Sequence, residues 1–250
     1  MSGDVLIERH GTVRHLVLNS PERLNALSRS MLDEMRVAIA EIADDREASV
    51  LVVSGAGRAF CAGADLVDLF GETSRPTAEL RDELKTVYAG FLGLMDLPIP
   101  TISAVHGVAV GAGVNIALSC DVVLAGPRAR FAVTFAEIGL HPGGGCSWFL
   151  AQRIGASRAL SVILSGETVQ GGEALRIGLA TECVDDPVAE ALARAEHWAT
   201  RDPGLLRDMK RAVQLARGGE LRDVLEFESW AQASAVGKPR FNTYLERFRS

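Results

Sequence analysis

The sequence predicts an α/β protein, with a core of strands and helices over residues 1–195 and a helical part over 196–250. Three observations predict it. The chain opens on β-rich runs, continues with short apolar runs that alternate with helical segments, and turns mostly helical from about residue 144.

VLIERHGTVRHLVLN (5–19) gives two β-rich runs around His10-Gly11, the pattern of a hairpin. SRSMLDEMRVAIAEIADD (28–45) spaces Leu32, Met35, Ile39 and Ile42 by three and four residues, which lays one apolar stripe along a helix. SVLVVSG (49–55) is a continuous apolar run closed by glycine, as expected of a strand buried on both faces. Residues 76–95 read as helix from about Pro76. IPTISAVHGVAV (99–110) and DVVLAG (121–126) read as two further buried strands, separated by a short helix over AGVNIALS (112–119). Pro187 and Pro203 stand where first helical turns would start, a position at which the missing N–H costs nothing. The last stretch (221–250) reads as helix with a break at Gly237–Pro239. Trp198, Phe227, Trp230, Phe241, Tyr244 and Phe248 give the helices after 195 apolar groups that call for a partner surface, so a closed oligomer is expected.

With 250 residues, 48% of them hydrophobic and 23% charged, the chain can bury a substantial core. The net charge is −6 and the basic residues are dispersed, which argues against a nucleic-acid or anionic-membrane surface. Cys61, Cys120, Cys146 and Cys183 are widely spaced and form no CxxC pair; they read as reduced thiols, with no metal site expected. MSGDVLIERHG carries no basic segment followed by an apolar one, so no secretory leader is expected. Gly111, Gly113, His106 and Asn115 interrupt the longest apolar stretch, so no membrane span is expected either. Together these point to a cytoplasmic protein.

Two stretches share a design. SGAGRAFCAGADL (54–66) and VAVGAGVNIAL (108–118) each place small residues just after a strand and before a helix. Neither gives G-x-G-x-x-G, and no GK[ST] follows, so a nucleotide-binding reading fails. Two readings remain open for each turn: close packing of strand on helix, or free backbone N–H groups that converge on one oxygen.

SPERLNALS (20–28), GAGRAFCAGADL (55–66), AVHGVAVGAGVNIALSCDVVLAG (104–126) and GLHPGGG (139–145) together resemble the enoyl-CoA hydratase/isomerase, or crotonase, family. The resemblance runs to about residue 185; beyond it only KPRF (238–241) echoes the family. It implies a crotonase-like spiral of ββα turns, a C-terminal helical trimerisation region, and a homotrimer or a hexamer built as a dimer of trimers. It also implies an acyl-CoA or enoyl-CoA thioester substrate, with coenzyme A entering only as part of that substrate. By motif position, the N–H groups of Ala64 and Ala112 would hold the thioester carbonyl oxygen. Leu24, Ala26, Ala62, Gly63, Asp65 and Leu66 match positions that line coenzyme A, while Gly111, Phe135 and Gly143 fall at substrate-facing places. Arg23, Arg58 and, from a neighbouring subunit, Lys238 are candidate phosphate contacts.

The sequence departs from the family where protons move. Hydratases of this family use two glutamates, and the matching positions here hold Asn115 and Phe135. An amide does not exchange protons near neutral pH, and a phenyl ring has none to give. Asn115 reads either as a polar group for a water or substrate, or as a capping or core amide. Glu137, two residues beyond Phe135, would be turned ~200° away on a helix. His141 is an acid–base candidate or a turn residue ahead of Pro142; His106 is expected to order a turn. The leading expectation is an acyl-CoA enzyme of the hydratase/isomerase type with weak hydratase activity. The alternatives are an acyl-CoA-binding protein without turnover, or isomerase-type enolate chemistry through His141.

Overall fold

The computed structural model describes residues 3–248; Met1 and Ser2 of the opening segment lie outside it. Strands β1 (Val5–His10) and β2 (Val13–Leu18) form the expected antiparallel hairpin, with Glu8 opposite His15. Helix α1 (Arg29–Asp44) starts where the Ser28 side chain accepts from Met31 N–H, and it buries Leu32, Met35, Ile39 and Ile42. β3 (Val50–Gly55) is buried along its whole length. α2 (Leu66–Phe70) and α3 (Thr77–Leu92) follow it.

IPTISAVHGVAV differs from its reading as one strand. It makes two, β4 (Thr101–Val105) and β5 (Val108–Val110), and they belong to different sheets. The break is at Gly107, whose φ is +66° and where a Cβ would collide with the Arg58 carbonyl oxygen. His106 orders this corner as expected: its Nε2 lies 3.0 Å from the Gly57 carbonyl oxygen. α4 (Ala112–Ser119) covers the predicted short helix.

β6 (Val122–Ala125), β7 (Arg130–Ala132), α5 (Cys146–Ile154), α6 (Ala156–Ser165), β8 (Thr168–Gln170), α7 (Gly171–Ile177) and β9 (Glu182–Cys183) complete the core. The larger sheet has the order β1-β2-β3-β4-β6-β9 and is parallel from β2 onward; β5-β7-β8 form the smaller one. The chain then runs through α8 (Pro187–Ala199), α9 (Pro203–Ala216), α10 (Leu221–Val236) and α11 (Pro239–Glu246). Pro187 and Pro203 stand at the first turns of α8 and α9, and the helix break falls at Gly237–Lys238.

Residue 195 lies inside α8. Ala191 and Ala195 are buried with Val13, Val50 and Val52, so α8 closes one face of the larger sheet. α9 is tied to the core as well, since buried Lys210 donates to the Ile99 carbonyl (2.9 Å) and pairs with Asp121 (2.8 Å). Of the aromatics expected to be exposed, Trp198 and Phe227 are instead half-buried, Trp198 against the α8–sheet cluster. Trp230, Phe241, Tyr244 and Phe248 are exposed. Among the described residues no helix is long and apolar enough to cross a membrane.

Candidate active site

The two glycine turns lie side by side. Phe60 and Cys61 N–H groups both donate to the Val108 carbonyl (3.0 and 3.1 Å), and Val110 N–H returns a bond to the Cys61 carbonyl (3.0 Å). Gly63 has φ +91°, and a Cβ there would stand 2.6 Å from the Val110 carbonyl oxygen and 3.8 Å from the Ala112 nitrogen. Only glycine allows that approach. Gly111, with φ +51° and ψ −112°, turns the chain from β5 into α4 through a region that residues with a side chain rarely enter.

This arrangement leaves two donors at the junction. Leu27 brackets Ala64: Leu27 N–H donates to the Gly63 carbonyl (2.7 Å) and Asp65 N–H to the Leu27 carbonyl (3.0 Å). Neither bond uses Ala64 N–H, and Ala112 is the first residue of α4, where a helix has no partner for its N–H. Among the described residues neither N–H donates to a backbone carbonyl.

Both alanines face a cavity of about 190 Å³. Ala62, Gly63, Gly111 and Leu66 line it with them, as do Asn115, Phe135, His141 and Gly143. Leu24, Ala26 and Asp65 are not part of its wall. Leu24 reaches the wall through its carbonyl, which accepts from Ala62 N–H (2.9 Å), and Asp65 caps α2 by accepting from Asp68 N–H. Leu84, Val87, Tyr88 and Phe91 of α3 add an apolar part to the wall. Which face of that helix turned inward was not read from the sequence, although spacings of three and four carried the signal.

Asn115 is fully buried in the first turns of α4. It does not cap the helix; its Nδ2 donates to the Gly143 carbonyl at 2.8 Å, tying α4 to the GLHPGGG loop. Its Oδ1 is buried with no partner among the described residues. Phe135 is half-buried, with its ring edge 3.6 Å from where a Gly111 Cβ would sit. Glu137 lies in a short 3-10 turn (Ala136–Ile138), exposed, with its carboxylate beside Gly166 rather than in the cavity wall. His141 is exposed on the rim side of the wall, its Nδ1 2.8 Å from the Pro142 carbonyl oxygen.

The candidate phosphate contacts stand in different surroundings. Arg23 Nε donates to Ser20 Oγ (3.1 Å), and its guanidinium lies 3.6 Å from Asp4 and 3.9 Å from Asp65. Arg58 is exposed. Lys238 pairs with Asp202 at 2.6 Å, which holds that carboxyl below the usual range. Burial pushes the Cys61 and Cys146 thiols up to about 12, which leaves neither as a thiolate near neutral pH.

One residue of the site went unread in the sequence. Asn25 and its neighbour Leu24 both have positive φ (57° and 55°), the two non-glycine residues in that region among those described. Asn25 is fully buried. Its Nδ2 lies 2.9–3.2 Å from the Ala56, Ala59 and Phe60 carbonyls, and its Oδ1 accepts from Ser20 N–H at 2.9 Å. Asparagine tolerates this left-handed backbone, and its amide staples the 20–28 loop to the first glycine turn. An Asn between Leu24 and Ala26, in a loop opened by Ser20-Pro21, was the available signal.

The profile of the enoyl-CoA hydratase/isomerase family matches residues 8–248. A protein of Mycobacterium tuberculosis named probable enoyl-CoA hydratase is 43% identical over 245 residues, covering 96% of this chain and 94% of that one. The 1,2-epoxyphenylacetyl-CoA isomerase of Escherichia coli is 34% identical over 219 residues, covering 86% of this chain and 84% of its own. A solved enoyl-CoA hydratase/isomerase-type structure from Mycobacterium abscessus superposes with a TM-score of 0.91 at 32% identity, covering 98% of this chain and 95% of that one. The α/β architecture is therefore the crotonase-like one, and the chain belongs to the enoyl-CoA hydratase/isomerase family.

Proposed function

We propose that this protein binds acyl-CoA thioesters with the carbonyl oxygen between the N–H groups of Ala64 and Ala112, and stabilises the enolate that forms there. The observation that carries the reading is the approach of Gly63 to Val110 and Ala112, which leaves both donors free at the cavity. Donors fixed by the fold need no reorganisation as charge grows on the oxygen, and each contributes about 2.7–4 kcal/mol in enzymes that use them.

Coenzyme A enters as part of the substrate, along Leu24, Ala26, Ala62, Gly63, Asp65 and Leu66, with the acyl chain against Phe135, Gly143 and the apolar face of α3. No separate cofactor is needed for this chemistry. The assembly is a homotrimer or a hexamer of two trimers, formed through the helices after residue 195, and the protein works in the cytoplasm.

Hydration itself is slow in this account. It needs a base on water and an acid for the α-carbon, and such groups supply ~10²–10⁴-fold. Asn115 offers an acceptor through Oδ1, able to orient a water or a substrate hydroxyl without removing its proton. A second reading has an observation in its favour: His141 belongs to the cavity wall, and an imidazole can both take and give a proton, which would serve isomerase-type enolate chemistry. Binding without turnover is the limiting case of the first reading.

Titration with a conjugated dienoyl-CoA tests it. Saturable binding with a red shift of the thioester chromophore is expected, because two donors on the carbonyl polarise the conjugated system. Binding without a shift would remove the oxyanion reading, and no binding of any acyl-CoA would remove the ligand class.

A further inference from the structure

Glu8, His10 and His15 share one face of the β1–β2 hairpin, on the strand pair at the edge of the larger sheet. Glu8 stands directly opposite His15, and His10 is two residues from Glu8, so the period of two puts all three side chains together. Glu8 Oε2 is 3.0 Å from His15 Nδ1 and 3.6 Å from His10 Nε2, and one ligand atom from each residue lies within 4.8 Å of the others. Arg9 and Arg14 take the opposite face, where they pair with Glu41 and Asp45.

We propose that Glu8, His10 and His15 form a binding site for one divalent transition-metal ion of the Zn²⁺ type, with a fourth position open to water or an external ligand.

Two imidazoles and a carboxylate are a donor set that suits Zn²⁺ and not the all-oxygen preference of Ca²⁺ or Mg²⁺. Tetrahedral Zn²⁺ with bonds near 2.0–2.2 Å holds its ligands about 3.3 Å apart. The two distances from Glu8, 3.0 and 3.6 Å, bracket that spacing. Glu8 and His10 are exposed and free to adjust, while His15 is buried and fixed. What fixes it is a support beyond the ligand itself: His15 Nε2 lies 2.8 Å from Ser54 Oγ of β3. An ion at this place would replace the His15 Nδ1–Glu8 Oε2 hydrogen bond, and Nε2–H donated to Ser54 would then leave the Nδ1 lone pair for the metal, the tautomer a ligand needs. The site stands apart from the thioester cavity and does not depend on the function proposed for it.

Chelator-treated, tag-free protein titrated with Zn²⁺ by calorimetry, and with Co²⁺ followed by visible absorption, tests the assignment. The expected result is one ion per chain, a Co²⁺ spectrum without thiolate charge transfer, and a thermal midpoint that rises with free Zn²⁺. His10→Ala and Glu8→Gln, both at exposed positions, should abolish the binding and the rise. Ser54→Ala should weaken affinity by about 10–100-fold, and Cys183→Ser should change nothing. Absence of saturable binding at micromolar Zn²⁺, binding that survives both exposed substitutions, or binding lost with Cys183 would overturn the proposal.

Discussion

Asn115 Nδ2 donates to the Gly143 carbonyl oxygen at 2.8 Å, and its Oδ1 is buried without a partner among the described residues. The amide therefore joins α4 to the GLHPGGG loop, in the wall of the cavity that the two glycine turns open. Position 144 admits only glycine here, since its φ is +62° and a Cβ would lie 2.9 Å from both the Asn115 Nδ2 and the Phe91 ring.

Asn115→Asp tests the bond by its sign. A carboxyl at this buried place, facing a carbonyl oxygen, is pushed above its unfolded value of about 3.9. A raised folded-state value means stability is intact below the unfolded pKa and is lost as pH rises through the raised one. The thermal midpoint of the variant, compared with wild type at each pH, should fall between roughly pH 5 and pH 8. A constant difference across that window would show that the 115 side chain is solvated.

Asn25→Ala should cost stability and ligand affinity together. It strips partners from three carbonyls and from Ser20 N–H, and it leaves a left-handed backbone with a residue less suited to it. Each unsatisfied buried group costs about 1–3 kcal/mol, so a clear drop in thermal midpoint is expected. Acyl-CoA titration should weaken as well, because the 20–28 loop loses its staple to the first glycine turn. An unchanged midpoint would mean water replaces the amide there.

His141→Ala separates the two chemical readings. Acyl-CoA affinity should be kept, since the ring is exposed and its Nδ1 lies against the adjoining Pro142 carbonyl. Turnover of a Δ3-enoyl-CoA that disappears in this variant would assign the proton transfer to His141; turnover that persists would exclude it.

The proposed assembly is tested at the C-terminal helices. Trp230 is 72% and Phe248 71% exposed in the isolated chain, more than a free monomer surface ordinarily leaves to large aromatics. Light scattering at micromolar concentration should give a trimer or a hexamer, and Trp230→Glu should shift it towards smaller species. A stable wild-type monomer would contradict this.

Much of the fold was legible because periodicity is a local signal. The stripe of Leu32, Met35, Ile39 and Ile42 and the proline starts of α8 and α9 needed nothing beyond the sequence. The division of 99–110 into two strands was not, because apolar residues flank His106-Gly107 on both sides, and the left-handed turn of Gly107, close against the Arg58 carbonyl, is where β5 leaves for another sheet. In the site, motif order located the glycine turns and Asn115. The partner of Asn115 could not be read, because Gly143 lies 28 residues away and offers only backbone. Asn25 was missed for a similar reason: its bonds go to carbonyls more than 30 residues on, which carry no side-chain signature.

The central claim is that this family member keeps the carbonyl-binding turns while Asn115 and Phe135 occupy the places of the proton-transferring carboxylates. The most direct test is the rate of crotonyl-CoA hydration, followed as loss of enoyl absorbance for wild type and for Asn115→Glu/Phe135→Glu. The account predicts slow or undetectable hydration by wild type and a higher rate for the double variant, modest in size because the new glutamates lack supporting neighbours. Fast wild-type hydration that collapses on Glu137→Gln would contradict it, by showing that the exposed carboxylate beside Gly166 turns into the cavity and does the work assigned here to no residue.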